Sequence, residues 1–379
     1  MTRESKHELS AALRSAYRRA SKAEKGRILD QFVLVTGYHR KYASSLLKHG
    51  PPKRVDRPRV GHTPYGIIVV QALTAIWERS GHLCGKRLHA FLPLWIEALE
   101  RSGNLSYEPQ VVELLLSMSP ATIDRKLKPA RRLRHRGRST TRRGTWLKSQ
   151  IPVRTFADWD DTCPGFTEID LVAHCGTSTR GEYLNTLSMV DVATQWFESQ
   201  AVTYRSQREV FVALDQLRYQ FPFPLKGIDS DNDSVFINAH LVRYCQREGI
   251  TFTRSRPYKK NDQAHVEQKN GSVIRNLIWY DQYEGLEATQ ALNDVYECLC
   301  PWINFFQPSM KLVEKHRVGS KVHKKYDTPQ TPYQRVQASP DVSEEDKLAL
   351  RQLFLTLDPL QLRKELDRRL EAFWDLAIR

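Results

Sequence analysis

Between residues 166 and 279 the apolar pattern reads as three consecutive strands followed by alternating helix and strand, an order few folds accommodate. The strands fall at 166–174, 182–191 and 195–203, then a helix at 206–218 and a strand at 225–229. A helix at 235–248, a strand at 251–255 and a helix at 262–279 complete the run. This order predicts an α/β layer.

Three carboxylates occupy informative places in it. Asp170 lies mid-way along the first strand, in Phe166-Thr-Glu-Ile-Asp-Leu-Val-Ala-His174. Asp231 lies just past the fourth strand, in Asp229-Ser-Asp-Asn-Asp-Ser-Val-Phe236. Glu267 opens a helical stretch after the breaker-rich Arg256-Pro-Tyr-Lys-Lys-Asn-Asp262. Residues so far apart converge only through the fold. Converging carboxylates suit Mg²⁺, which takes hard oxygen ligands and usually keeps several waters. Two such ions about 3.5–4 Å apart activate an attacking oxygen and stabilise the leaving one in phosphodiester chemistry. A lone Asp is more often a cap, turn or salt-bridge residue, and chemistry alone accepts Asp229 as readily as Asp231. Asp229, Asp231 and Asp233 also imitate the start of a calcium loop, which needs Gly at its sixth position and Glu at its twelfth. Those places hold Ser234 and His240, which argues against that motif.

Charge divides the chain. Residues 1–150 hold 30 Lys/Arg against 11 Asp/Glu, a net of +19, while the remainder holds 28 against 32, a net of −4. A basic front joined to a mildly acidic back implies a polyanion-binding module attached to something with another task. No run approaches 18 apolar residues and no signal peptide opens the sequence, so a soluble, cytoplasmic protein without membrane partners is expected. The six cysteines form no Cys-x-x-Cys pair, which argues against a structural zinc site.

In the front half, residues 8–20 and 21–36 read as helices, the second opened by a Ser21/Glu24 capping box and followed by Ile28, Leu29, Phe32 and Val33. Thr36 is positioned to cap a third helix, Tyr38 to Leu47, with Tyr42, Ala43, Leu46 and Leu47 facing inward. His39, Arg40, Lys41, Ser44, Ser45 and Lys48 fall on its other face. Over residues 1–50 this predicts a helix-turn-helix whose last helix reads the major groove, although a plain bundle with a solvated basic face has the same pattern.

Residues 51–65 form a basic, Pro-rich linker. Helical patterns at 66–80, 85–102 and 108–117, and then Ala121 to Leu127 after Ser119-Pro120, predict a second helical DNA-binding domain over 66–130. Its candidate contacts are Thr122, Arg125 and Lys126. From Arg125 to Lys148 there are 11 Lys/Arg and no acid, so 131–154 is expected as a flexible arm tracking phosphates through Arg131, Arg132 and Arg134. The tail, 311–379, begins with a basic segment from Lys311 to Lys325. It ends in two helices capped at Ser343 and Asp358. The stripe Leu362, Leu366, Leu370 and Phe373 suits either a core or a multimer contact.

The order Asp170, then Ser230-Asp-Asn-x-Ser-x-Phe236, then Arg256-Pro-Tyr…Glu267, with 35 residues between the last two acids, resembles DDE transposases of bacterial insertion sequences and the catalytic cores of retroviral integrases. The resemblance covers residues 155–310. It implies a ribonuclease-H-like catalytic domain in which Asp170, Asp231 and Glu267 hold two Mg²⁺ or Mn²⁺ ions per active site. The sequence departs from the pattern at Asp233, where Gly is usual, and at Gln263-Ala-His265, where Asn-Gly is usual. It departs again at Ile274, where a basic residue is frequent and Arg275 follows instead. Lys259 and Lys260 lie in a loop expected to close on DNA. Taken together, the resemblance implies a multidomain protein: an α-helical helix-turn-helix region, an α/β ribonuclease-H-like domain and a helical tail. The implied function is that of a bacterial transposase, nucleoid-associated when bound to DNA, which cuts the terminal repeats of its element and joins them to target DNA as a homo-oligomer on double-stranded DNA. Two alternatives are a DNA-binding regulator with an inactive integrase-like domain and a metal-dependent nuclease without strand transfer.

Overall fold

The computed structural model describes residues 1–51, 65–103, 107–131, 163–231, 233–255, 263–318 and 321–378. Two units divide the chain, Met1–Thr63 and Pro64–Arg379.

The first unit holds α1 (Arg3–Arg19), α2 (Lys22–Thr36) and α3 (Arg40–His49). The Ser21/Glu24 box is formed: the Ser21 amide donates to Glu24 Oε2 at 2.9 Å, and the Glu24 amide to Ser21 Oγ at 3.4 Å. Helix α2 ends on Gly37, whose φ of 66° lies in the left-handed region that an L side chain resists. Thr36 does not cap α3. It closes α2, its hydroxyl donating to the Phe32 carbonyl at 2.6 Å, and His39 takes the cap, its Nδ1 accepting from the Lys41 amide at 3.3 Å. Tyr17, Leu29, Phe32, Ala43, Leu46 and Leu47 form the core. Tyr42, expected inside, is 39% exposed and meets Tyr38 edge-on. It sits about 90° from the centre of the Ala43–Leu46–Leu47 stripe, which already fills the contact.

The second unit opens with α4 (Ile67–Arg79), α5 (Gly85–Arg101), α6 (Pro109–Ser117), α7 (Pro120–Lys126) and the single turn α8 (Lys128–Arg131). Strands β1 (Phe166–Ala173), β2 (Asn185–Asp191) and β3 (Phe197–Val202) follow, then α9 (Gln207–Leu217), β4 (Gly227–Ser230), α10 (Ala239–Glu248) and β5 (Thr251–Arg254). The sheet order is β3-β2-β1-β4-β5. The first three strands pair antiparallel, while β4 and β5 join in parallel, as helical crossovers require. Helix α11 (Ala264–Lys269) runs through a π turn (Asn270–Ile274) into α12 (Arg275–Ile278).

Beyond the elements expected from the sequence come α13 (Gly285–Phe306), the hairpin β6 (Leu312–Val318) and β7 (Lys321–Tyr326), and α14 (Pro332–Ala338). The tail ends in α15 (Glu344–Thr356) and α16 (Pro359–Trp374), capped by Ser343 and Asp358 as expected. Helix α13 seals the outer strand β3. Asn304 Oδ1 accepts from the Phe197 amide and its Nδ2 donates to the Phe197 carbonyl, both at 2.9 Å, and Asn293 does the same at Ala201. Two asparagines thus occupy backbone groups that an edge would otherwise leave unpaired.

The segments expected as 66–130, 155–310 and 311–379 share one hydrophobic core. Phe91 and Trp95 of α5 pack on Trp302 of α13, with ring centres 6.3 and 5.9 Å apart. Arg101 donates to the Phe354 and Leu357 carbonyls. Leu366, Leu370 and Phe373 of α16 are buried, with Phe373 stacked on Tyr283 at 4.1 Å. That stripe is core.

Candidate active site

Strand β1 carries Asp170 opposite Ser188 of β2, while β4 ends at Ser230, one residue before Asp231. Helix α11 is locked against both strands at its start. The buried Glu168 shares the face of Asp170 two residues on, and its Oε2 accepts from the His265 and Val266 amides at 2.8 and 2.9 Å. A carboxylate is favourable at this position because the first helical amides have no partner within the helix. Gln263 Nε2 donates to the carbonyls of Ile169 and Asp229, both at 3.3 Å, bridging β1 to β4. Glu267 then falls in the first turn of α11. At the head of the π turn, Asn270 Nδ2 donates to Asp170 Oδ2 at 2.8 Å, and Asp170 Oδ1 accepts from the Leu171 amide at 2.8 Å.

Burial pushes the Asp170 carboxyl up to about 7, with the Asp231 charge as the next cause; the bonds from Leu171 and Asn270 oppose this, and Glu267 adds a smaller push upward. Asp170 therefore sits in the fields of the two acids that the sequence paired with it. Among the described residues no three His, Cys, Asp or Glu side chains lie close enough together to hold a metal ion. The donor chemistry still fits a hard cation, since Mg²⁺ is commonly held by one or two carboxylates with waters and substrate phosphates.

The neighbours of Asp231 have other work. Asp229 is fully buried within the sheet, where Thr253 Oγ1 donates to its Oδ1 at 2.6 Å. Asp233 pairs with Arg205 and accepts from the Val235 amide at 3.1 Å, fixing the turn before α10. Asp231 is partly exposed beyond the strand end and accepts from the Asp233 amide at 2.9 Å.

The candidate DNA contacts divide. In the first unit Arg40 pairs with Asp30, Lys41 is exposed, and half-buried Ser44 lies 3.5 Å from the Tyr17 hydroxyl. In the second unit Arg125 is exposed and donates to Thr122 Oγ1 at 3.1 Å, while Lys126 donates to the Tyr65 carbonyl at 3.3 Å. Arg131, expected to open a flexible arm, is instead fixed to Asp124 at 2.7 Å and to the Leu83 carbonyl, above the Trp77 ring. Arg275 donates to the Ala173 carbonyl at 2.8 Å and lies over Tyr280, so its guanidinium is committed to the end of β1. Arg132, Arg134, Lys259 and Lys260 lie outside the described residues. Sequence reasoning missed Glu168, Gln263 and Asn270 as positioning groups. The two-residue spacing from Glu168 to Asp170 was the available signal.

No family model matches the chain. Over 332 residues it is 45% identical to the uncharacterized protein y4rM of Sinorhizobium fredii (strain NBRC 101917 / NGR234), spanning 86% of this chain and 94% of that protein. The chain belongs to the y4rM family. Among solved structures it is similar to the catalytic core domain of BIV integrase, with a TM-score of 0.29 and 17% identity, covering 45% of this chain and 91% of that one. It is also similar to the HTLV-2 integrase catalytic core domain in complex with magnesium, in its dimeric form, with a TM-score of 0.29 and 15% identity over 39% of this chain and 91% of that one. Among the described residues no helix is long and apolar enough to cross a membrane, and all six cysteines are free.

Proposed function

We propose that this member of the y4rM family is a DDE-type transposase that binds the terminal repeats of a mobile element, cuts their ends and joins them to target DNA. The observation that carries this is geometric: β1, bearing Asp170, pairs in parallel with β4, which ends one residue before Asp231, and α11, bearing Glu267, is bonded to β1 through Glu168. A buried carboxylate beside a second acid is costly unless something offsets its charge. Asp170 and Asp231 would hold a divalent ion, with Glu267 completing the set. When bound, it polarises a phosphoryl oxygen and lowers the pKa of a coordinated water.

The remaining residues prepare this place. Asn270 fixes the rotamer of Asp170, Glu168 anchors the helix that bears Glu267, and Gln263 sets the spacing of β1 and β4. The first unit supports the DNA-binding part of the proposal: a turn of three residues beginning with Gly37 joins α2 to α3, as in helix-turn-helix readers. Its exposed Lys41 and Lys48 offer phosphate contacts.

The test uses purified protein, the DNA ends flanking its reading frame, and Mg²⁺. Strand-specific cleavage, and joining of precut ends to a plasmid, are the results expected. Binding without cleavage would favour the inactive regulator, and cleavage without joining the nuclease.

A further inference from the structure

Strand β2 sets a serine where an apolar side chain would pack without penalty. Ser188 is fully buried, and its neighbours Leu187, Met189 and Val190 are buried apolar residues. The other buried hydroxyls on the five strands of the sheet each have a partner. Thr167 bonds the Gly227 carbonyl, Thr186 meets the Tyr296 hydroxyl, and Ser199 meets the Cys300 thiol. Ser230 bonds the Asp231 carbonyl, and Thr253 the Asp229 carboxylate. Among the described residues the Ser188 hydroxyl has none. A buried polar group without a partner costs free energy, so its retention calls for a water, an ion or a part in the chemistry.

Its place decides between these. Ser188 stands directly opposite Asp170 in the antiparallel pair of β1 and β2. Residues so paired project from the same face, with Cβ atoms about 4.5–5.5 Å apart. Helix α11 packs on both strands over that face, because Glu168, two residues from Asp170, holds its first amides. Just past its end Asn270 gives Nδ2 to Asp170 Oδ2 at 2.8 Å. The Oδ1 of that buried asparagine has no partner among the described residues. Two orphaned oxygens, one from β2 and one from the π turn, therefore stand beside the same carboxylate. Both are acceptors.

We propose that Ser188 is a positioning residue, which with Asn270 Oδ1 accepts the two hydrogens of a water carried by the divalent ion at Asp170. The proposal rests on the metal-binding reading above. Mg²⁺ keeps several of its waters when a protein binds it. A coordinated water has given a lone pair to the ion and has two hydrogens left to donate. Two fixed acceptors hold its orientation, and losing such an outer partner commonly costs roughly 10–100-fold in metal affinity or activity. Ser188 acts on the ion through that water and adds no charge to a place that already gathers acids.

The experiment titrates the full-length protein with Mn²⁺ alone and follows binding by electron paramagnetic resonance, with Asp170→Asn marking binding outside the site. Thermal melts in EDTA measure the fold by itself. Ser188→Ala is expected to bind Mn²⁺ about 10-fold more weakly. It should melt no lower than wild type, because alanine removes a hydroxyl that has no partner to lose. Ser188→Thr should keep the affinity and its isostere Ser188→Val should lose it, which separates hydroxyl from volume. If threonine and valine both unfold the chain at this packed position, the alanine variant decides alone. Equal Mn²⁺ affinity in wild type and Ser188→Ala would overturn the proposal and leave the metal site standing. A lower melting temperature of Ser188→Ala in EDTA would overturn it too, by assigning the hydroxyl to the fold. Wild type that binds Mn²⁺ no better than Asp170→Asn would remove the metal reading itself, and the proposal with it.

Discussion

At the scale of single residues, the acids and amides around α11 matter more than their number suggests. Buried Glu168 accepts from two amides at the start of α11 that have no partner within the helix. Glu168→Ala should cost about 2–4 kcal/mol, since each buried donor left unpaired costs about 1–3, and urea melts of the full chain measure it. Glu198 offers a test by pH. Burial pushes its carboxyl up to about 8 from the usual 4.5, against the bonds it accepts from Trp196 and Asn304. Between those values the folded chain holds a proton that the unfolded chain has released. Stability from this group is therefore complete below pH 4.5 and is lost as pH rises through 8. Glu198→Gln should flatten that part of the stability curve, as melts at pH 5 and pH 8 would record. An unchanged slope would mean that other groups set it. The choice of Asp231 over Asp229 was not legible from composition, because only tertiary burial puts Asp229 against Thr253.

At the scale of elements, period-2 and capping signals were legible and mixed patterns were not. Strands β1 and β4 lie within two residues of where their apolar runs placed them, and the Ser21/Glu24 box announces α2. The hairpin was hidden because the sequence from Leu312 to Tyr326 is rich in Lys, Arg and His and shows no apolar alternation. The π turn was hidden because Asn270 to Ile274 carry no signal distinguishing them from α-helix, yet it begins with the amide that holds Asp170. Helix α13 does show helical spacing, in Leu292, Val295, Tyr296, Leu299 and Ile303, all buried. What the pattern did not reveal is its second role, the sealing of β3 through asparagines. Asn304→Leu keeps the volume and strands the amide and carbonyl of Phe197. A loss of about 2–4 kcal/mol is expected, together with faster exchange of the Phe197 amide by hydrogen-exchange mass spectrometry. Full protection in the variant would show that α13 seals the edge by packing alone.

At the scale of the whole molecule, the charge boundary and the structural boundary differ. Charge divides the chain near residue 150, whereas the second unit begins at Pro64. Helix α5 falls in the basic front half of the sequence but gives Phe91 and Trp95 to the core of the back half. Periodicity shows that a helix has an apolar face; it does not say which neighbour covers it. A chain beginning at residue 151 should therefore expose Trp302 and aggregate, while one beginning at 64 stays soluble and cooperative in thermal melts. A well-folded 151–379 fragment would argue that the shared core is dispensable. The most direct test of the central claim is metal-dependent cleavage and joining by Asp231→Asn beside Asp229→Asn and Asp233→Asn, with DNA-end binding as the check on folding. Loss of both reactions in the Asp231 variant alone, with binding intact, is the predicted result; retained activity in Asp231→Asn with loss in Asp229→Asn would contradict it.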